Sequence, residues 1–262
     1  MPQFAEIDGC RLAYRLEGPQ DAPAVVMCHS LLADGTMWDE QMPALRDYRV
    51  LRLDMRGHGA SAATAPPYTL EMLADDVASM LDHLKLPAVH YIGLSIGGMI
   101  GQALAFRHAG KLKSLMLCDT RARALGDQTA LWHERIALAR QAGSVEPLVD
   151  SSIQRWFSPA FMHSNKPRVD RVRASMQRCS VDGYGGCGLA ISSFDFTDRL
   201  AGIKLPTLVL YGAEDPSTTP EENKYLAAHV KGSRLEEIPG LHLPNIESAD
   251  RFNAIMAAWL KQ

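Results

Sequence analysis

The chain of 262 residues carries 27 Lys and Arg side chains against 30 Asp and Glu, a formal net charge of -3 at pH 7. This length is enough for one large α/β domain with a sizeable core, and the excess of acids argues against nucleic acid as the main partner. The 5 cysteines form no C-x-x-C pair and no metal-ligand spacing, which argues against a disulfide framework and a metal site.

Targeting and membrane signals are missing from the sequence. Residues 1–6 lack a basic segment followed by an apolar core, so no signal peptide is predicted. No run approaches the ~18 apolar residues of a membrane span. We therefore expect a cytoplasmic protein without a membrane partner.

The first part of the chain alternates strand-like and helix-like segments. Residues 4–7 and 11–16 alternate in polarity around Asp8-Gly9, which predicts an antiparallel hairpin at a sheet edge. Strands at 23–28, 48–53, 89–92 and 112–117 are predicted next, with helices at 38–45, 70–84 and from the turn at 93–98 to about residue 108. This alternation indicates a mostly parallel, doubly wound sheet.

The rhythm changes over residues 121–198, where no segment has a convincing strand pattern. Apolar residues at helical spacing, punctuated by Pro159 and Pro167, indicate several amphipathic helices. The α/β pattern then resumes with a strand at 206–211, a helix at 220–229, a strand at 234–238 and a closing helix. We therefore predict an α/β core formed by residues 1–120 and 199–262, with residues 121–198 as a helical cap insert.

The turn Gly93-Leu94-Ser95-Ile96-Gly97 lies between a predicted strand and a predicted helix. A G-x-S-x-G sequence in that setting is typical of a nucleophile elbow, in which a serine on a strained turn exposes its hydroxyl. Its small neighbours let the strand and the helix approach closely. The alternative is a plain glycine turn with an incidental serine, and we favour the nucleophile because partners follow downstream.

A serine nucleophile needs a base within hydrogen-bond reach and an acid that orients the base. His242 follows the last predicted strand and Asp215 the strand before it, which matches the chain order Ser, Asp, His. Asp119 also ends a core strand and is the alternative acid. We favour Asp215 because a Gly-x-x-Asp turn after a buried strand is the usual place of the acid. His58 is expected to hold its own loop by hydrogen bonds.

Acyl transfer to a serine also needs two hydrogen-bond donors for the oxyanion. The backbone N–H of Ile96, which follows the serine, is the first candidate. The second is the N–H of Leu31, in the loop that follows the strand at 23–28. An ordinary strand-end turn at His29-Ser30 is the alternative for that loop.

Taken together, these motifs resemble the α/β-hydrolase superfamily across nearly the whole chain, and within it the branch of 3-oxoadipate enol-lactonases and small carboxylesterases. The likeness is carried by the turn at 93–98, the D-x-R-G-H-G-x-S segment at 54–61, Leu117-Cys118-Asp119-Thr120, Arg155-Trp156-Phe157, and His242 followed by Asn245-Ile246-Glu247 and Ala249-Asp250. The resemblance implies hydrolysis of an enol-lactone or similar ester through an acyl-serine, without a cofactor. Leu32 departs from the pattern, because that branch is expected to carry glycine after Ser30-Leu31.

The predicted insert is unusually basic. Residues 121–180 carry ten basic and five acidic side chains, a local net charge of +5. Positive charge over an active site would attract an acidic substrate and bind its carboxylate. Arg135, beside Trp132, is the first candidate for this contact, and Trp156 for an apolar wall. A solvated basic surface is the alternative.

Other functions are compatible with the same residues. A perhydrolase or haloperoxidase and a carbon–carbon bond hydrolase would use the same triad, and a low-turnover ligand receptor would retain it. Dehalogenases and epoxide hydrolases are disfavoured, because they need a carboxylate where Ser95 stands. We predict a serine hydrolase that acts on a small-molecule ester or lactone.

Overall fold

A computed structural model of the protein describes residues 1–126 and 128–262, and within them eight strands form a single sheet. The strands are β1 (Gln3–Ile7), β2 (Cys10–Glu17), β3 (Ala24–Cys28), β4 (Arg49–Leu53), β5 (Val89–Leu94), β6 (Leu112–Cys118), β7 (Thr207–Gly212) and β8 (Arg234–Ile238). Their order across the sheet is β1-β2-β4-β3-β5-β6-β7-β8.

The sheet is parallel except at one edge. β1 pairs antiparallel with β2 and β2 antiparallel with β4, whereas the strands from β4 to β8 are parallel. All residues of β3 and β7 are buried, as expected for central strands covered on both faces. The predicted edge hairpin and parallel sheet are confirmed.

Helices connect the strands. They are α1 (Leu70–His83), α2 (Ile96–Arg107), α3 (Gln128–Ala142), α4 (Glu146–Trp156), α5 (Pro159–Ser164), α6 (Lys166–Met176), α7 (Val181–Ser193), α8 (Pro220–His229), α9 (Pro244–Glu247) and α10 (Ala249–Leu260), with 3-10 helices at Gly35–Leu45, Ala109–Lys111 and Thr197–Gly202. Among the described residues, no helix is both long and apolar enough to cross a bilayer.

The segment predicted as a helix at 38–45 differs in type from the prediction. It is a 3-10 helix that begins three residues earlier, at Gly35. Its start is fixed by Asp34, whose side chain accepts a 2.9 Å hydrogen bond from the N–H of Thr36. Pro43 within it has no N–H to donate, which disfavours a regular α-helical ladder. The short helix α9 was not predicted.

Five helices, α3 to α7, lie between β6 and β7. A single antiparallel bridge between Arg123 and Asp195 joins the two ends of this segment. No strand is assigned to the described residues between these ends, in agreement with the sequence pattern.

The parallel strands bring five loops to one edge of the sheet. The carboxyl ends of β3, β5, β6, β7 and β8 are followed by Leu31, Ser95, Asp119, Asp215 and His242. In open α/β sheets this edge is where ligands bind. The topology thus assembles the predicted site from residues that lie far apart in the chain.

Candidate active site

Ser95 lies in a sharp turn between β5 and α2. Its backbone has φ 60 and ψ -120, a strained conformation for a residue with a side chain. A Cβ at Gly93 would collide with the carbonyl group of Gly97, and one at Gly97 would collide with the carbonyl group of Cys28. Both glycines of the motif are therefore required by close packing of strand, turn and helix.

The turn is held in place by its neighbours. The N–H of Ser95 donates to the carbonyl oxygen of Cys118 at 2.9 Å, and the Thr120 hydroxyl donates to the carbonyl oxygen of Ser95 at 2.8 Å. Cys118 is the last residue of β6, and Thr120 lies two residues beyond it. The strained serine is thus fixed against the adjacent strand of the sheet.

His242 and Asp215 are joined directly. His242 Nδ1 lies 2.8 Å from Asp215 Oδ2, and because a carboxylate accepts, Nδ1–H donates and Nε2 keeps its lone pair. Asp215 also accepts from the Thr218 hydroxyl at 2.6 Å and from the Ser217 N–H at 2.7 Å. Burial alone would raise the pKa of Asp215, but the charge of His242 and these hydrogen bonds lower it below its ordinary value.

Ser95 and His242 line the same cavity. Within the described residues, the serine hydroxyl and the imidazole form no direct hydrogen bond. Catalytic hydrogen bonds of this kind often tighten only when substrate binds. Asp119, the alternative acid, makes no hydrogen bond to His242; its Oδ1 accepts from the N–H of Gly212 at 2.8 Å.

Leu31 and Ile96, the two predicted oxyanion donors, belong to different segments of the chain: Leu31 lines the cavity, and Ile96 directly follows Ser95 and is itself buried. Ile96 is the first residue of α2, so its N–H precedes the hydrogen-bond ladder of the helix and has no intrahelical acceptor. Leu31 lines the cavity from the loop after β3, and its N–H has no acceptor within residues 1–126 and 128–262.

The loop after β3 is fixed by a buried histidine. His29 Nδ1 donates to the carbonyl oxygen of Ser30 at 2.8 Å, and its Nε2 accepts from the N–H of Met55 at 3.0 Å. Burial lowers the pKa of His29, so the neutral tautomer required by this pair of contacts is favoured. Leu32 has φ 69, so the position where glycine is expected does adopt a backbone that favours glycine.

The cavity has a volume of about 270 Å³. It is lined by the loops that follow β3, β5, β6, β7 and β8 and by residues of α2, α3, α4 and α7. The described lining residues are Ser30, Leu31, Leu32, Ser95, Met99, Arg121, Leu131, Trp132, Arg135, Ser152, Arg155, Trp156, Tyr184, Ile191, Pro216, Ser217, Thr218 and His242. The three residues predicted to contact substrate, Trp132, Arg135 and Trp156, are all among them.

Positive charge is concentrated in this wall. Arg121, Arg135 and Arg155 line the cavity, whereas none of its described lining residues is Asp or Glu. Burial and the charge of Arg135 lower the pKa of Arg155, while burial raises the pKa of Tyr184 to about 12. Because Arg121 is paired with Glu222, the site offers Arg135 and Arg155 as cationic groups beside the neutral hydroxyl of Tyr184.

Much of the remaining positive charge of residues 121–180 is neutralised by ion pairs. The pairs are Arg121–Glu222, Lys166–Asp170, Arg168–Glu40, Arg171–Glu40, Arg173–Asp150 and Arg178–Asp34. Apart from Arg121, which is buried and lines the cavity, these basic side chains are partly or largely exposed at the surface. Arg135 differs, because its guanidinium lies 5.8 Å from the centre of the Trp132 ring and faces the cavity.

A model of the α/β-hydrolase fold family matches residues 23–249 of the chain. The protein belongs to the α/β-hydrolase family. The resemblance found in the motifs is thereby confirmed.

Relatives of this α/β-hydrolase include lactonases. The chain is 33% identical to 3-oxoadipate enol-lactonase 2 from Acinetobacter baylyi over 252 residues, which cover 96% of this chain and 93% of that protein. An enol-lactonase structure from Burkholderia xenovorans is 36% identical, with a TM-score of 0.95 and coverage of 99% and 100% of the two chains. A hydrolase structure from Pseudomonas aeruginosa is 38% identical, with a TM-score of 0.95 and coverage of 100% and 98%.

The lining residues of this α/β-hydrolase that the sequence did not indicate as part of the site include Thr218, Arg155 and Tyr184. Thr218 follows Asp215 by three residues and donates to it, a spacing that a search of the acid loop for hydroxyl donors would have found. Arg155 directly precedes Trp156, and the spacing within α4 does not indicate that its side chain lines the cavity. Tyr184 lies in a glycine-rich helix, and no local pattern indicates that it faces the cavity.

Proposed function

We propose that the protein is a serine hydrolase that cleaves a small ester or lactone bearing a carboxylate, such as an enol-lactone, through an acyl-serine intermediate. One observation carries this proposal. Ser95 shares a cavity with His242, whose Nδ1 is held at 2.8 Å from Asp215 Oδ2. This arrangement leaves Nε2 of the imidazole available as the base in the cavity that Ser95 lines.

The proposed reaction has two halves. His242 Nε2 takes the proton of Ser95 as Oγ attacks the carbonyl carbon, and the Asp215 carboxylate stabilises the imidazolium that forms. The N–H groups of Leu31 and Ile96 stabilise the oxyanion. His242 then protonates the leaving oxygen, which in a lactone remains attached to the acyl group. Water activated by the same histidine hydrolyses the acyl-serine.

Arg135 and Arg155 support an anionic substrate. Both lie in a wall that contains no described acid, and a guanidinium binds a carboxylate through two parallel hydrogen bonds. Tyr184 supplies a neutral hydroxyl in the same wall. The ring of Trp156 lies 6.2 Å from that of His242 and would form an apolar wall close to the reacting atoms.

We further propose that residues 121–198 act as a cap over a core formed by residues 1–120 and 199–262. The cap would supply Arg135 from α3, Arg155 from α4 and Tyr184 from α7, each of which lines the cavity. Substrate preference would then depend on the packing of these helices, while the chemistry depends on the strand ends.

The test of this function is labelling of Ser95 with a fluorophosphonate, combined with hydrolysis of p-nitrophenyl acetate. We expect stoichiometric labelling that is lost in Ser95→Ala, and a fall in kcat of roughly 10⁴-fold in Asp215→Asn. A folded protein that neither reacts with the probe nor turns over ester would contradict the proposal and favour the ligand receptor. Formation of peracetic acid from acetate and hydrogen peroxide, at a rate above that of ester hydrolysis, would favour the perhydrolase.

A further inference from the structure

A second carboxyl group lies beside the Asp215–His242 pair. Asp119 directly follows β6, is 0% exposed and has φ 41. Single ligand-type atoms of Asp119, Asp215 and His242 all lie within 4.8 Å of one another. Asp119 Oδ1 accepts from the N–H of Gly212 at 2.8 Å, whereas Oδ2 is buried and accepts no hydrogen bond from the described part of the chain.

Two adjacent buried carboxyl groups do not both ionise readily, because their charges repel in a poorly solvated site. The negative charge is better stabilised on Asp215, because its carboxylate accepts hydrogen bonds from His242, Thr218 and Ser217. Asp119 accepts only one backbone N–H. Burial, followed by the charge of Asp215, raises the pKa of Asp119 well above its ordinary value.

Other titratable groups near this pair leave that assignment unchanged. Arg121 forms a 3.3 Å ion pair with Glu222, and both interact with the charge of Asp215. The thiol of Cys118 is buried, which raises its pKa, and an ionised Asp119 would raise that pKa further. It is therefore a neutral neighbour.

We propose that Asp119 carries a proton on Oδ2 and donates it in a hydrogen bond to the Asp215 carboxylate, which makes Asp119 a positioning residue for the Asp215–His242 pair. This inference rests on the proposed function only for its effect on catalysis. A carboxylate offers about four acceptor sites, and three on Asp215 are occupied by His242, Thr218 and Ser217. The carboxylic O–H of Asp119 would fill the fourth.

The hydrogen bond would change how strongly Asp215 attracts a protonated His242. Donation from a neutral acid spreads the negative charge of the carboxylate and weakens its pull on the imidazolium. His242 then becomes the neutral base at a lower pH than it would beside Asp215 alone. The same hydrogen bond would also restrict the orientation of the Asp215 carboxylate.

The test uses Asp119→Asn and Asp119→Leu with the pH profile of kcat/KM. Asparagine keeps the shape, is neutral, and can both donate to Asp215 and accept from Gly212; it also tolerates positive φ. We expect its acid limb to lie within ~0.3 pH unit of the wild type, with kcat/KM within about threefold. Asp119→Leu cannot donate to Asp215, so we expect the midpoint of its acid limb to move up by about one pH unit. At a pH below that limb, kcat/KM should therefore be roughly tenfold lower than in the wild type.

Two outcomes would overturn the proposal. An acid limb that moves to lower pH in Asp119→Asn would show that the wild-type residue is ionised, because the substitution then removes a negative charge beside His242. An unchanged limb in folded Asp119→Leu would leave Asp119 with a purely structural role.

A spectroscopic measurement keeps the inference testable if the leucine variant does not fold. The infrared difference spectrum between wild type and Asp119→Asn at neutral pH should contain the C=O stretch of a protonated carboxylic acid in the wild type. A spectrum in which the substitution removes only carboxylate bands would overturn the proposal. This measurement needs no turnover, so absence of esterase activity with the C=O band present would count against the proposed function alone.

Discussion

The hydroxyl of Thr120 donates a 2.8 Å hydrogen bond to the carbonyl oxygen of Ser95. It connects the loop after β6 to the strained turn that presents the nucleophile. The same carbonyl also accepts from the N–H groups of Gly98 and Met99 at the start of α2. Thr120 therefore orients an acceptor that would remain satisfied without it.

Replacing Thr120 with valine should lower the stability of the protein slightly and its kcat more strongly. A hydrogen bond of this kind contributes about 1 kcal/mol, which corresponds to a fall in Tm of roughly 2–4 °C for a chain of this size. We expect kcat to fall about tenfold, because the serine turn gains freedom, while KM changes little. Thermal unfolding and steady-state kinetics measure both effects. Thr120→Ser is the matched control, and a serine variant as impaired as valine would contradict the hydrogen-bond explanation.

Arg135→Ala should discriminate between substrates by charge. Loss of a charge-assisted hydrogen bond costs about 1.5–3 kcal/mol, so we expect roughly 10- to 100-fold lower kcat/KM for a carboxylate-bearing lactone. The neutral methyl ester of that compound should lose less than about threefold. Arg140→Ala is the control, since Arg140 is exposed on the same helix and does not line the cavity. Equal losses for both substrates would exclude a carboxylate contact at Arg135.

The strand ends were predictable because topology fixes them. Parallel strands place their carboxyl ends on one edge of the sheet. Once the strands are recognised in the sequence, Ser95, Asp215 and His242 are therefore predicted to lie close together at that edge. The hydrogen bond from His242 to Asp215 rather than Asp119 also agrees with the turn pattern in the sequence. The sheet and its edge hairpin were predictable for the same reason, since apolar runs and turn residues are local signals.

The cavity wall was less predictable, because it depends on packing between helices. Arg155 and Tyr184 reach the cavity from α4 and α7, which are separated by two other helices. Spacing within one helix indicates an apolar face but not which neighbour that face contacts. Backbone conformation was also missed at Leu32, where φ is 69; no local rule assigns a positive φ to leucine.

The strain at Leu32 can be separated from the burial of its side chain. Leu32 is 3% exposed and lines the cavity. Glycine removes both the side chain and the strain, whereas alanine removes the side chain and keeps the strain. A left-handed backbone costs a residue with a Cβ about 1–2 kcal/mol, so Leu32→Gly should be more stable than Leu32→Ala by about 1 kcal/mol.

Urea unfolding of the two variants measures this difference. Both should be less stable than the wild type, because a buried leucine contributes about 1.5–3 kcal/mol. Both should also raise the ratio of kcat/KM for a branched acyl ester over a straight-chain one by about tenfold, since the cavity is enlarged. An alanine variant as stable as the glycine variant would show that the backbone at this position is not strained.

His58 should make the stability of the protein depend on pH. It is 0% exposed, and its Nδ1 donates to the carbonyl oxygen of Arg56 at 2.9 Å, as expected for a histidine that holds its own loop. Burial and the neighbouring His29 lower its pKa from 6.5 to about 3, against the opposing charges of Asp54 and Asp34. Below pH 6.5 the unfolded chain therefore binds a proton at this position that the folded chain does not bind until about pH 3.

The resulting change has a defined sign. The contribution of neutral His58 to stability is fully present above the unfolded pKa and is lost as pH falls toward the folded one. Linkage gives a loss of about 2 kcal/mol in the free energy of unfolding between about pH 7.5 and about pH 5.

Urea unfolding at each pH should show that His58→Asn, whose amide can still donate to the Arg56 carbonyl, loses about 2 kcal/mol less than the wild type over this interval. Since His29 has a lowered pKa as well, the variant should retain part of the acid sensitivity. Parallel curves for the two proteins would mean that His58 is protonated in the folded state, and the buried network around the loop after β3 would then have to hold a charge.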